Sequence, residues 1–205
     1  MPELLIELLS EEIPARMQAQ AAADFQKLVE DRLKEAHLAY DRGHGYVSPR
    51  RLTLVIDGLT ERQPDRTEER KGPRVGAPEK AMEGFLRAAG LTSLDQCEQR
   101  TVGKADFWFA ISKIDGQATA AVLPEMIADA IRALPWPKSM RWADGAFRYV
   151  RPLQRINVVF GGEALPGSLD LGGSLGARTF GAETEGHRFM ARGPIPIQNF
   201  AQYKA

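Results

Sequence analysis

The chain has 205 residues, 43% hydrophobic and 26% charged, the balance of an ordinary globular protein that buries about 70% of its unfolded surface without a disulfide or metal staple. Lys plus Arg and Asp plus Glu both total 27, which excludes a uniformly basic nucleic-acid binder and an acidic disordered tail. No apolar run approaches the ~18 residues of a membrane span, and the first seven residues carry acid where an export signal needs base, so a cytoplasmic location is expected. Cys97 is the single cysteine. It has no partner for an internal disulfide and no neighbouring base to activate it, so it reads as a partly buried, unreactive thiol.

Residues 3–9 read as an apolar strand with acids at Glu3 and Glu7. A turn follows from Ser10 to Ile13, and Pro14 suits the first turn of a helix, where its missing N–H costs nothing. Over 15–38, Ala21, Phe25, Leu28, Val29, Leu33 and Ala36 recur at helical spacing, and Gly43 and Gly45 are expected to end that region. Residues 51–59 read as a second, β-branched strand. Residues 61–74 hold nine charges, five basic and four acidic, and two prolines; such a segment has nothing to pack and is expected to be a loop or linker.

A second helix is expected over 78–89, capped by Gly90, then a hairpin over 98–114 with residues 107–111 as its apolar arm. An Ala-rich amphipathic helix spans 117–134 and stops before Pro135. Beyond it the apolar segments shorten: 147–151, 155–160 and 163–171 are strand candidates, residues 172–186 are glycine-rich, and Thr179-Phe180 and 187–190 are possible further strand pieces. The expected fold is α+β in two parts. Residues 1–135 form a mixed α/β domain with three main helices on a sheet, and residues 136–205 form a basic, mostly β part that is truncated. The charge supports that division, with 18 basic and 22 acidic side chains before residue 136 and nine against five after it.

Chemistry is concentrated in three places. Residues 137–160 carry five basic side chains and one acid, interleaved with Trp142, Phe147, Tyr149 and Phe160. Bases neutralise phosphates and aromatic faces stack on unpaired bases, so Lys138, Arg141, Trp142 and Arg151 are candidates for RNA contact. In a strand, however, Phe147, Tyr149 and Arg151 would share one face and Arg148 and Val150 the other, so one surface cannot collect every base. His187 and Arg188 can bind phosphate, or His187 can be a hydrogen-bonded structural residue. Arg50 and Arg51 precede a strand, where adjacent side chains point oppositely, so at most one joins a single-faced site. No phosphate loop, Cys/His metal pattern or nucleophile elbow occurs, and the adjacent Glu11 and Glu12 have no partner for acid–base work. The residues alone suggest no catalytic centre.

Seven short stretches in order, at 5–14, 49–52, 63–65, 71–73, 137–142, 150–152 and 186–190, resemble the N-terminal part of the β subunit of bacterial heterotetrameric glycyl-tRNA synthetase. The resemblance implies an α2β2 enzyme joining glycine to its tRNA with ATP and magnesium. The adenylate-forming site would lie in the α subunit, with tRNA binding and assembly supplied by β. It implies no catalytic residue or cofactor in this chain, partners in the α subunit and tRNA(Gly), and neither DNA nor membrane contact. The family's β subunit is several times longer, so the chain is expected to be a piece of one. A scaffold that docks α without touching RNA is the alternative, and hydrolytic editing is a third option for which no site can be mapped.

Overall fold

The computed structural model describes every residue except Lys104, Arg188, Phe189 and Arg192. In chain order the elements are β1 (Leu4–Ser10), α1 (Ala15–Glu35), β2 (Arg42–Ser48), β3 (Arg51–Asp57), β4 (Arg66–Arg74), α2 (Glu79–Ala89), β5 (Cys97–Val102), β6 (Ala105–Ile114) and α3 (Thr119–Arg132). They continue with β7 (Leu153–Phe160), β8 (Glu163–Ala164), β9 (Ser168–Asp170), β10 (Ala177–Gly181), β11 (Glu183–Glu185), β12 (Pro194–Pro196) and α4 (Phe200–Tyr203), an α+β fold. Two compact units result, one of Met1–Gln63 with Gln117–Ala205, the other of Pro64–Gly116.

The larger unit is built on a sheet ordered β2-β3-β1-β7-β10-β9, with β8 on β7. β1 runs antiparallel between β3 and β7. Both its faces are covered, so its sequence reads as a nearly unbroken apolar run rather than an alternation. The pleat still sorts its side chains. Leu4, Ile6 and Leu8 join Phe25, Val29 and Leu33 of α1 and Leu123, Ile127 and Ile131 of α3 in the main core. Leu5 packs on the opposite face with Val55, Val159 and Ile197. Each such buried side chain contributes about 1.5–3 kcal/mol.

α1 does not need Gly43 or Gly45 to stop it. His37 takes a left-handed conformation at φ 55, and the Leu38 N–H closes the turn on the Leu33 carbonyl at 2.8 Å. The two glycines instead lie inside β2, a strand the sequence reading missed. A Cβ on Gly45 would come within 2.9 Å of the Ala22 carbonyl oxygen, and one on Gly43 within 2.3 Å of Glu30 Oε1. Glycine therefore lets this edge strand lie close to α1. The Gln26 amide donates to the Gly43 carbonyl at 2.9 Å and accepts from the Gly45 N–H at 3.1 Å, occupying two backbone groups of an otherwise open edge.

The smaller unit is an antiparallel sheet ordered β4-β6-β5 with α2 packed on it. Most of the segment expected to be a linker is β4. Every β4 side chain is exposed or half-buried, so no apolar period marks it. Its order comes from pairing along β6, from Arg66 opposite Ile114 to Lys71 opposite Phe109. Gly72 lies against the Phe85 ring, which a Cβ would meet at 2.6 Å. α2 ends on Gly90 at φ 68, as its position suggests.

The units therefore divide after Gln63 and before Gln117, not at Pro135, and of the three helices expected on one sheet α2 belongs to the smaller unit. The charge contrast at residue 136 has no structural counterpart. Residues 64–116 hold nine bases and nine acids, which leaves 18 of each in the larger unit. Gln63 and Gln117 are tied together: the Gln63 N–H donates to the Gln117 carbonyl at 2.9 Å, and the Gln117 N–H donates to Gln63 Oε1 at 3.2 Å.

The expected strand at 147–151 is absent, leaving one bridge between Met140 and Tyr149. Tyr149 and Val150 are both buried, which the alternation of a one-sided strand does not allow. Residues 155–160 lie in β7, the 163–171 candidate breaks into β8 and β9, and Thr179-Phe180 falls in β10. Of the 187–190 candidate, residues 188 and 189 lie outside the described residues, His187 carries no strand assignment and Met190 is a turn.

Candidate functional site

The register of the large sheet lines up a polar row on the face away from α1. Tyr46 of β2 is opposite Thr53 of β3, Thr53 is opposite Glu7 of β1, and Glu7 is opposite Asn157 of β7. Glu7 is fully buried. A bare carboxylate there would be expensive, and this one accepts four hydrogen bonds. Arg51 Nε donates to Oε1 at 2.9 Å, Thr184 Oγ1 at 2.8 Å and the Tyr203 phenol at 3.0 Å, while Asn157 Nδ2 donates to Oε2 at 2.7 Å. Tyr203 also shares a 2.9 Å hydrogen bond with Thr53 Oγ1. Burial, reinforced by the Glu7 charge, pushes the Tyr203 phenol well above its ordinary range and keeps it a proton donor.

Tyr46 and Thr53 of this row line a pocket of about 530 Å³, together with Arg51, Thr184, His187, Ile197 and Tyr203 among others. β11, β12 and α4 form its far wall, and Arg51 Nη2 donates to the Glu185 carbonyl. Gly186 allows the wall to close, since a Cβ there would meet the Ala191 Cβ at 2.5 Å. The structure thus brings Arg51 and His187 together in one pocket. With its oxygens already engaged, the Glu7 carboxylate serves as an anchor. Sequence reasoning passed over it, although an acid inside an apolar strand was a legible signal.

Arg50 lies in a second group. Its Nε donates to the Ser10 carbonyl at 3.2 Å and its Nη2 to Gln154 Oε1 at 2.8 Å, and Gln154 in turn donates to Glu11. Arg151 lines a shallow hollow with Glu11, Glu12, Pro14 and Pro49 and donates to the Val150 carbonyl at 2.9 Å. Arg50 and Arg51, adjacent in sequence, thus serve different networks.

Lys138 and Arg141 are exposed. The aromatics between them and Arg151 turn inward. Trp142 meets Phe147 edge-on at 5.8 Å, Phe147 stacks on Tyr149 at 6.0 Å, and Trp136 meets Tyr149 edge-on at 4.9 Å. Trp142 and Phe147 are packed against the main core, so these rings brace the segment rather than offer an open stacking face. Arg188 lies outside the described residues. Burial raises the Cys97 thiol, in keeping with an unreactive group.

Among the described residues no helix is long and apolar enough to cross a membrane. The family model described as "Glycyl-tRNA synthetase beta subunit" matches residues 4–205. The chain is 49% identical over 223 residues to the glycine–tRNA ligase beta subunit of Rhodospirillum centenum, covering all of this chain and 31% of that protein. It is 50% identical over 209 residues to that of Paracoccus denitrificans and 49% over 209 to that of Ruegeria sp., again over the whole chain and 30% and 29% of those proteins. The chain spans about a third of the length of the curated relatives it matches, and by a family match that runs almost end to end it belongs to the glycyl-tRNA synthetase beta subunit family.

Proposed function

We propose that this chain acts as the N-terminal region of a glycine–tRNA ligase β subunit. It supports ATP-dependent attachment of glycine to tRNA(Gly) in the cytoplasm through tRNA binding and assembly with the α subunit. The observation that carries this reading is the family match over residues 4–205. The reading assigns adenylate formation, with its ATP and magnesium, to the α subunit. Among the described residues no group of three His, Cys, Asp or Glu side chains converges.

For RNA contact the exposed Lys138 and Arg141 are the primary residues, with Arg151, His187 and Arg188 as further candidates. Trp142 packs against the main core, Arg50 bonds the Ser10 carbonyl and Gln154, and Arg51 bonds Glu7 and the Glu185 carbonyl. The test is a tRNA titration of the full α2β2 enzyme. Lys138→Ala with Arg141→Ala should weaken binding at every sequence and flatten its dependence on salt by about 0.7–0.9 per lost phosphate contact. Unchanged binding at low salt would overturn the assignment.

The inward packing of Trp142, Phe147 and Tyr149 supports a second reading, a scaffold that docks the α subunit without touching RNA. Hydrogen exchange separates the two. Protection within 137–155 on adding tRNA supports RNA contact, and protection there on adding α alone supports docking.

A further inference from the structure

We propose that the face of the β4-β6-β5 sheet opposite α2 binds an unpaired stretch of RNA, its bases stacking on Phe107 and Phe109. The two faces of this sheet are distinguishable. Arg70 donates to the Ala88 carbonyl of α2, Gly72 lies against Phe85, and Ala110, opposite Arg70, is buried. Alternation therefore turns Glu69, Lys71, Phe107, Phe109, Ile111 and Lys113 the other way. Side-chain contacts agree. Arg100 of β5 donates to Glu69 of β4 at 2.9 Å, crossing the central strand, and its guanidinium carbon stands 5.4 Å from the centre of the Phe109 ring. Lys71 Nζ stands 3.8 Å over the Phe107 ring.

Among the described residues no helix of this unit covers that face, and Phe107, Phe109 and Ile111 remain half-buried. Cations stand over both phenylalanines, at 3.8 and 5.4 Å from the ring centres, on the side of the sheet away from α2, and a ring face is what a nucleobase stacks on. Charge favours the same occupant. Opposite the aromatic strand or on it stand Lys71, Arg74, Arg100 and Lys113 against Glu69 and Glu98. Both acids are paired with Arg100, at 2.9 and 2.8 Å. Among the described residues, Lys71, Arg74 and Lys113 have no carboxylate partner. Exposed ion pairs and exposed cation–π contacts are weaker than base–aromatic stacking, so an arriving base displaces Lys71 and Arg100 from the rings and leaves them beside its phosphates. The choice of RNA over DNA rests on the family reading above, while the stacking and phosphate chemistry do not.

The test is fluorescence anisotropy of the whole 205-residue chain with a labelled oligoadenylate of about ten nucleotides, within the range such platforms cover, and with an RNA hairpin of equal length. The oligoadenylate should bind more tightly than the hairpin. Phe107→Leu with Phe109→Leu keeps the apolar volume and removes the rings, and should weaken the oligoadenylate at least about tenfold. Lys71→Ala with Lys113→Ala alters two exposed side chains. It should lower the salt dependence by about 1.4, or 0.7 for each single-strand phosphate contact, and keeps the test decisive if the leucine pair unfolds the unit. Equal affinity for the hairpin, or unchanged affinity and salt dependence in the lysine pair, would overturn the proposal. So would protection of 105–114 on adding the α subunit without RNA. Failure of the tRNA reading is registered separately, by the Lys138 and Arg141 variants on folded tRNA.

Discussion

The phenol of Tyr203 donates to the carboxylate of Glu7 at 3.0 Å, across 196 residues of sequence. The hydrogen bond joins the C-terminal segment to the central strand of the large sheet. Tyr203→Phe removes one of four donors and is expected to cost about 1–2 kcal/mol. Glu7→Ala leaves Arg51 without its buried partner and should cost about 3–5 kcal/mol. Urea unfolding followed by tryptophan fluorescence measures both, and a Glu7→Ala protein as stable as the parent would refute the anchoring role.

Alkaline pH should loosen the fold through two phenols. Burial raises Tyr149, and burial together with Glu7 raises Tyr203, above the ordinary value of 10.0. Each contribution is fully present below pH 10, where both states hold the proton. Above that the unfolded chain releases it first, and stability falls until the folded phenols also ionise. Unfolding midpoints measured between about pH 8 and 12 should decline beyond pH 10, and Tyr203→Phe should flatten the decline.

Gly45→Ala tests the approach of β2 to α1. Its new Cβ would stand 2.9 Å from the Ala22 backbone oxygen, a neighbour that cannot rotate away. A loss of about 1–3 kcal/mol is expected, with faster amide exchange in 42–48. An unaffected melting temperature would show that the helix can shift at no cost.

The smaller unit has a thin core, with Met82, Phe85 and Ala110 its buried apolar residues. Amides of 66–114 should therefore exchange at lower denaturant than those of β1, β3 and β7. Phe85→Ala should remove about 3–5 kcal/mol and abolish protection in the small unit while sparing the large one. Simultaneous loss of both would refute their independence.

Elements with a well-marked apolar stripe or an unbroken apolar run were legible in the sequence: β1, α1, β3, α2, the β5–β6 hairpin, α3 and β7. β2 was hidden because Gly43 and Gly45 serve close approach rather than chain reversal. β4 was hidden because charged side chains fill it, so the pairing that orders it is non-local. The unit boundary was misplaced because a contiguous charge count cannot find a unit that interrupts another. At the candidate site, Arg50 and Arg51, expected from their adjacency to point oppositely, enter separate networks. Neither composition nor periodicity announced that Arg51 and His187 line one pocket, since chain folding alone closes that distance.

The pairing of Gln63 with Gln117 has a topological consequence. The larger unit already brings these residues together through its own hydrogen bonds, so the chain entropy of closing that gap is not charged to whatever lies between. Replacing Pro64–Gly116 with a short glycine–serine turn should leave the large sheet folded. To that sheet, everything between the two glutamines is equivalent to a hairpin turn, and the inserted unit is free to change in sequence without disturbing the register of the larger unit's strands.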